Sequence, residues 1–256
     1  MQIAVAIRLA PKAGEELELD ASGTDIDREY VEETISDSDD QALEEAALLK
    51  EATGATVTAV GLRSRGIEEA LKVAYARGAD RVVIADAGEL DPYDSRGAAL
   101  AFADAFRALA PDLVVIGVQT PYDLFGQTAP LVAATLGWPQ ANVVVKVDVD
   151  GGVARVQQEY AGGRLAVLAL QLPAVIGVQS ASRPPRYVSM MRLRQAMAEA
   201  RAETLTVSPS EPGARSRLVA LARPEPQTHA TMLEGDAEEL AEQIASMLRE
   251  RGALVS

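Results

Sequence analysis

The residues best suited to chemistry in this sequence follow three short apolar runs, each typical of a buried strand. Arg8 follows the first run, Arg63 and Ser64 follow the second, and residues 117–128 follow the third. In an open parallel sheet, ligands bind in the crevice beyond the carboxyl ends of the strands. We therefore expect these three segments to meet there.

The segment 117–128 combines features that suit a phosphate group. It leads into a predicted helix, whose first N–H groups and dipole attract an anion, and Thr128 adds a hydroxyl. The sequence contains neither a Gly-x-Gly-x-x-Gly nor a Gly-x-x-x-x-Gly-Lys-Ser/Thr motif, so an ordinary strand–helix loop remains an alternative. Arg8 could pair with the phosphate or with the acidic stretch at 25–45. Tyr122 and Phe125 could flank an adenine or pack the loop down.

Catalytic groups are scarce in this sequence. It has no cysteine, and His229 is its only histidine. The acidic pairs Asp39-Asp40 and Glu44-Glu45 are interpreted as a charged helix face, since nothing places one of them in an apolar pocket beside a partner group. Gly-x-Ser-x-Gly, the motif of many hydrolases, is not found. The sequence therefore predicts a protein that is not an enzyme.

Charge and hydropathy exclude two classes of partner. With 24 basic and 38 acidic residues, the net charge of -14 repels nucleic acid and anionic membrane surfaces. No apolar stretch is long enough to span a bilayer, which argues against membrane insertion. The first residues do not resemble a secretory signal. These patterns predict a cytoplasmic protein.

The apolar periodicity alternates between strands and helices through residue 182. Such alternation predicts an α/β fold with a doubly wound, mostly parallel sheet. Gly-Gly turns near residues 151 and 162 predict an antiparallel addition at one edge. The expected strands are 2–7, 56–60, 81–85, 113–117, 142–149, 154–160, 165–170 and 174–178, and the expected helices are 67–77, 94–109 and 128–136, with one more around 42–49.

The chain changes character at the break Arg183-Pro184-Pro185-Arg186. A basic helix at 190–201, a Pro-rich extended arm at 208–227 and an amphipathic helix at 234–251 are predicted beyond it. We accordingly predict two parts, an α/β domain at 1–182 and an appendage at 183–256. The acidic stretch 25–45 is either a solvated loop leading into a helix, with Ser36 or Asp39 as its cap, or part of a nucleotide site.

A series of motifs, in one order over most of the chain, resembles the electron transfer flavoprotein β-subunit family. The first strand ends in a basic residue, as it does in that family. The further motifs are Asp39-Asp40-Gln41-Ala42-Leu43-Glu44-Glu45-Ala46, Arg77-Gly78-Ala79-Asp80-Arg81, Gly117-Val118-Gln119 with Gln127-Thr128, Gly137-Trp138-Pro139-Gln140, Leu172-Pro173-Ala174-Val175, and Pro185-Arg186-Tyr187.

The resemblance implies an adenine-nucleotide alpha hydrolase-like fold and a heterodimer with a larger α subunit. It also implies a redox FAD, held mainly by the α subunit near the interface. The β subunit of such proteins holds a structural AMP, or a second FAD in electron-bifurcating members. Transferred by position, and together with Arg8, the nucleotide-binding residues would be Ala6, Arg8, Ser36, Asp39, Leu62, Gly117, Gln119, Asp123, Gly126, Gln127 and Thr128.

The same resemblance implies that the segment after Pro185 docks flavin-dependent dehydrogenases, while the rest of the appendage packs on the α subunit. A soft methionine suits a site that must fit several partners, although Met190 and Met191 could equally serve helix packing. The predicted partner-docking residues are Arg186, Tyr187, Met190, Met191 and Leu193.

Departures from the family pattern fall in the predicted nucleotide site. Ser36-Asp37 replaces the usual Asn-Pro, and Gly126 replaces the usual Asn. The loop lacks the Asp-Gly-Asp-Thr of bifurcating members, which favours AMP over a second FAD. A stand-alone adenine-nucleotide module of the universal-stress type is the alternative function, and the long appendage argues against it. A nucleotide-dependent enzyme is the third possibility.

Overall fold

The computed structural model of the chain describes residues 1–12, 17–29, 31–209, 218–223 and 232–253. The chain divides into two compact units, Met1–Ala220 and Leu221–Ser256. His229 and most of the predicted arm at 208–227 lie outside the described residues. No helix in the described part is long and apolar enough to cross a membrane.

The first unit contains all the described strands and five helices, and the second contains one helix that begins with a capping box at Asp236. The strands are β1 (Gln2–Ile7), β2 (Leu9–Pro11), β3 (Glu33–Ile35), β4 (Thr56–Leu62), β5 (Arg81–Asp86), β6 (Leu113–Gly117), β7 (Gln140–Asp150), β8 (Val153–Tyr160), β9 (Arg164–Gln171), β10 (Ala174–Val178) and β11 (Glu203–Thr206). The helices are α1 (Asp37–Thr53), α2 (Ile67–Arg77), α3 (Ser95–Leu109), α4 (Thr128–Leu136), α5 (Met190–Glu199) and α6 (Ala237–Glu250).

The main sheet has nine strands in the order β11-β5-β4-β1-β6-β10-β7-β8-β9. The pairs from β11 to β7 are parallel, whereas β7, β8 and β9 form an antiparallel meander at one edge. The predicted fold class is thus confirmed. The chain winds outward from β1 through β4 to β5 and then returns to the other side of β1 with β6. This reversal is the switch point at which such sheets bind ligands.

Alternating small apolar side chains build a core on both faces of the sheet. Along β1, Ile3 and Val5 pack on the face covered by α1 and α2, while Ala4 packs on the face covered by α3 and α4. Successive residues of a strand point to opposite faces, so a strand buried on both sides is apolar throughout. Phe102 and Phe106 stack with ring centroids 5.8 Å apart and are the largest buried side chains on the second face.

Local sequence signals set the helix boundaries. Ser36 caps α1 by accepting a hydrogen bond from the Asp39 N–H, and Gly54 ends that helix in the left-handed conformation. Gly137 ends α4 with a φ of 69°. A left-handed residue after a helix satisfies its last carbonyl groups at little cost when it is glycine. The predicted bounds of α2, β6, α4 and β10 agree with those observed.

Residues beyond 182 contribute to the first unit. β11 adds a parallel strand next to β5, with Arg81 and Glu203 joined by a salt bridge of 2.8 Å, and α5 packs against α2. The two compact units divide after Ala220, and the division into parts at 1–182 and 183–256 stays a prediction. The sequence analysis did not predict β2, β3 or β11. Each has three or four residues, which is too short for a periodic pattern to stand out.

Candidate functional site

A cavity of about 600 Å³ lies beyond the carboxyl ends of β1 and β4, beside the loop that follows β6. Its walls also include Arg28, residues 31–33 and the loop between β5 and α3. Small-molecule sites typically measure roughly 300–1,000 Å³ and combine apolar walls with a few polar groups. The position at the switch point and the size both indicate a site for a ligand the size of a nucleotide.

Arg8 is the central cation at the strand ends. Its guanidinium donates from Nε and Nη2 to the two carboxylate oxygens of Asp39, at 2.9 and 2.8 Å. It also donates from Nη1 to Asp123, at 3.2 Å, and from Nη2 to the Gly117 carbonyl, at 2.6 Å. The bidentate pair with Asp39 holds the guanidinium in one plane. Arg8 thus has two protein carboxylates as partners, and one of them belongs to the acidic stretch 25–45.

Asp39 joins the N-terminus of α1 to β1 and β6. Its buried carboxylate accepts hydrogen bonds from the backbone N–H groups of Arg8 and Gly117, both at 2.8 Å, besides those from the Arg8 side chain. A Cβ atom on Gly117 would lie 2.4 Å from the backbone carbon of Ser38. Only glycine allows this close approach, so the hydrogen bond from the Gly117 N–H to Asp39 depends on glycine at position 117.

Asp123 occupies the N-terminus of α4. Its carboxylate accepts from the N–H groups of Gln127 and Thr128, each at 3.0 Å, from the Thr128 hydroxyl at 2.7 Å and from the Ser95 hydroxyl at 2.8 Å. Burial alone would raise the pKa of Asp123, but these donors outweigh it and the pKa lies below its usual value. The groups that the sequence suggested for a phosphate therefore hold a protein carboxylate.

An aromatic cluster joins Asp25, Arg28 and Glu33 to the loops around the cavity. The Tyr93 and Tyr122 rings meet edge to face at 5.3 Å, and the Arg28 guanidinium lies 4.9 Å from the centre of the Tyr122 ring. The Tyr122 hydroxyl donates to Glu33 at 2.6 Å and the Tyr93 hydroxyl donates to Asp25 at 2.9 Å. Burial and the contact with Asp25 raise the pKa of Tyr93 to about 12. This part of the acidic stretch is consequently packed, not a solvated loop.

The sequence analysis did not single out Arg28, Glu33 or Tyr93 as site residues. Arg28 and Glu33 lie in a stretch interpreted only by its charge, and Tyr93 follows Pro92 at the entry to a helix. An aromatic residue in a loop after a parallel strand is the available signal, since such loops line the ligand crevice.

The predicted nucleotide-binding residues are divided between several places. Arg8, Leu62, Asp123 and Thr128 line the cavity. Ser36 and Gln119 line a neighbouring cavity of about 450 Å³. The remaining predicted residues, which line neither cavity, are Ala6, Asp39, Gly117, Gly126 and Gln127. Phe125, an alternative neighbour for an adenine, is 79% exposed and also lies outside both cavities.

The cavity fits the adenosine part of AMP better than its phosphate. Ile7, Leu62, Leu90 and Phe102 give it apolar walls that suit a purine ring. The α4 donors are engaged by Asp123, so a phosphate at that position must displace the carboxylate. Other polar side chains at the cavity wall include Ser64 and Arg65, beside the start of α2 at Ile67, where none of the described side chains caps the helix.

The predicted partner-docking residues lie on the same unit, away from the cavity walls. Arg186 is anchored to Glu44, whereas Tyr187 is 88% exposed and Met191 is 79% exposed. Met190 is also exposed and Leu193 is partly exposed at the start of α5. Three large apolar side chains close together in the chain therefore face solvent, as expected of a surface that contacts another protein.

The chain matches one family model, and relatives with a similar sequence share one name. Residues 24–212 match the model of the electron transfer flavoprotein domain. A Methylophilus methylotrophus protein named electron transfer flavoprotein subunit beta is 30% identical over 98% of both chains. A Bradyrhizobium diazoefficiens protein of the same name is 28% identical over 99% of this chain and 100% of its own. An Arabidopsis thaliana mitochondrial subunit beta is 32% identical over 77% and 78%.

Proposed function

The chain belongs to the electron transfer flavoprotein family as a relative of its β subunits, and on that premise we propose that it works as one half of a heterodimer. The other half is an electron transfer flavoprotein α subunit. The pair carries electrons from flavin-dependent dehydrogenases to an acceptor in the cytoplasm, with FAD at the subunit interface. AMP, with a structural role, binds in this chain.

The observation that carries the proposal is the match over almost the whole chain to proteins named subunit beta. A match of this extent includes both the strand-end cavity and the docking residues. FAD, when bound, supplies the reversible electron transfer, and the protein contributes binding, orientation and electrostatics. In this proposal the sheet of the first unit is the rigid base, and Tyr187 and the methionines after it contact the dehydrogenase.

The AMP proposal is supported by the cavity at the switch point. Its volume and its apolar walls suit adenosine, and Arg28 with Tyr122 closes one side. A bound nucleoside would contact residues from β1, from the segment after β4 and from the loop after β6 at once. Such a ligand stabilises the folded chain by a free energy that grows with the logarithm of its concentration relative to Kd. Its role is therefore to strengthen the base and not to exchange electrons.

Coexpression with an electron transfer flavoprotein α subunit from the same organism tests the proposal. We expect a one-to-one pair with a flavin absorbance spectrum, and bleaching of that spectrum by at least one member of a panel of flavin dehydrogenases with their substrates. A pair that holds no flavin, or a flavin that no dehydrogenase reduces, would contradict it. A chain that stays alone and binds ATP without any α subunit would favour the universal-stress-type module instead.

A further inference from the structure

We propose that Glu44 and Glu45 of α1 are positioning residues that hold the docking segment, defined as residues 181–193, in the orientation in which it meets the dehydrogenase. The proposal rests on the proposed function, because it assigns a role to residues that do not themselves face the partner. It gives the acidic pair of the Asp39–Ala46 motif a role other than acid–base chemistry.

Glu45 fixes the beginning of the docking segment. Its side chain is 2% exposed, and its carboxylate accepts from the Ser182 N–H at 2.7 Å, the Ser182 hydroxyl at 2.9 Å and the Val147 N–H at 3.1 Å. Gln41, one turn earlier on α1, accepts from the Ala181 N–H at 2.9 Å. Two successive backbone N–H groups of the segment are thereby tied to one helix.

Glu44 fixes the segment where it turns towards solvent. Its carboxylate, in a residue that is 4% exposed, accepts from the Arg186 N–H, Nε and Nη2 at 2.9, 2.9 and 2.8 Å. Glu51 accepts a hydrogen bond from Arg186 Nη1 at 2.7 Å. Burial would raise the pKa of Glu44, but the Arg186 side-chain and backbone donors overcome it and the pKa lies below its usual value. The carboxylate and the guanidinium thus remain paired ions.

These contacts come from one face of α1, because Gln41, Glu44 and Glu45 are three and four residues apart. Burying two carboxylates costs free energy that an apolar surface would not require. The contacts order the segment just before Tyr187, which is itself exposed. A segment ordered before binding loses less conformational entropy when a partner docks, so the benefit appears in affinity.

The test uses the heterodimer and the dehydrogenase that reduces it fastest in the panel above. Glu44→Gln and Glu45→Gln are compared with Glu159→Gln, the same change at an exposed position on β8. We expect the KM of the dehydrogenase for each α1 variant to rise about tenfold while kcat stays within twofold, since only the ordering step is affected. The control should match the wild type in both constants.

A double-mutant cycle separates positioning from general damage. In the cycle with Arg186→Gln, the KM effects of Glu44→Gln and Arg186→Gln should not multiply, because both remove one contact. Glu44→Asp keeps the charge, so its KM should lie between those of the wild type and Glu44→Gln. This variant also keeps the test possible if Glu44→Gln fails to assemble. The inference is overturned if folded α1 variants keep the wild-type KM, if kcat falls instead, or if Glu44→Asp is no better than Glu44→Gln. A wild-type pair that no dehydrogenase reduces would overturn the proposed function first.

Discussion

The strand-end crevice and the docking segment both contact α1, but they differ in which kind of side chain faces solvent. In the crevice, the partly buried Arg8 pairs with the buried carboxylates of Asp39 and Asp123. In the docking segment, Arg186 pairs with the buried Glu44, whereas the apolar side chains of Tyr187 and Met191 face solvent. In the proposed function, the crevice holds a small ligand and the exposed apolar groups contact a protein partner.

The strongest test of this comparison is Asp39→Ala. The substitution leaves the Arg8 guanidinium without its bidentate partner and the Gly117 N–H without an acceptor. Removing one member of a buried ion pair typically costs about 3–5 kcal/mol. Chemical denaturation should show a loss of this size, and Asp37→Ala, an exposed change in the same helical turn, should stay within about 0.5 kcal/mol. Equal effects from both would mean that the network adds little.

Asp123→Asn tests whether the protein's own anion competes with a phosphate. Removing the charge should lower stability by about 1–3 kcal/mol, since the amide keeps one acceptor oxygen and its NH2 group cannot accept from the donors that faced the other. It should also raise the affinity for AMP relative to adenosine by about tenfold, because the α4 N–H groups become available to the phosphate. Calorimetric titration of both ligands into both proteins measures this. An unchanged ratio would show that the phosphate binds elsewhere on the cavity wall.

Acid should weaken the crevice through the same carboxylate. The pKa of Asp123 in the folded chain lies below its ordinary value of 3.8, so its stabilising contribution is complete above that value. The contribution is lost as the pH falls from there through the lower folded pKa. The difference in Tm between wild type and Asp123→Asn should therefore narrow as the pH falls below 3.8. A constant difference would argue against an ionised carboxylate.

The smallest effect on stability is expected from Met191→Ser in the docking segment. An exposed change of this kind usually shifts the free energy of unfolding by no more than about 0.5 kcal/mol. The KM of the dehydrogenase for the heterodimer should nevertheless rise severalfold, because an apolar contact with the partner is lost. A large loss of stability with an unchanged KM would reverse the comparison, since Met191 would then belong to the core.

The sequence predicted the regular elements well because their signals are local. Gly54, Gly78 and Gly137 each end a helix, and the eight predicted apolar runs coincide with β1 and β4 to β10 of the main sheet. β11 was not predicted, because Glu-Thr-Leu-Thr is too short to be periodic and its partner β5 lies more than a hundred residues earlier. Its pairing depends on the completed sheet.

Site residues could be predicted only where they follow a strand. Arg8, Leu62 and Asp123 were found by their position at the carboxyl ends, and they line the cavity. The hydrogen bonds from the α4 donors to Asp123 could not be predicted from the sequence, because they depend on how the loop after β6 folds back. Likewise the Tyr93–Asp25 contact joins residues far apart in the chain, so only the folded structure brings them together.

The return of the chain to the sheet at β11 has a practical consequence for the docking segment. Residues of α1 hold the beginning of the segment, and β11, which follows the segment, pairs with β5. The segment is therefore anchored at both ends. A single protease nick after Tyr187 would therefore leave both fragments attached to one body. Native mass measurements would show an intact particle, while denaturing conditions would release two pieces.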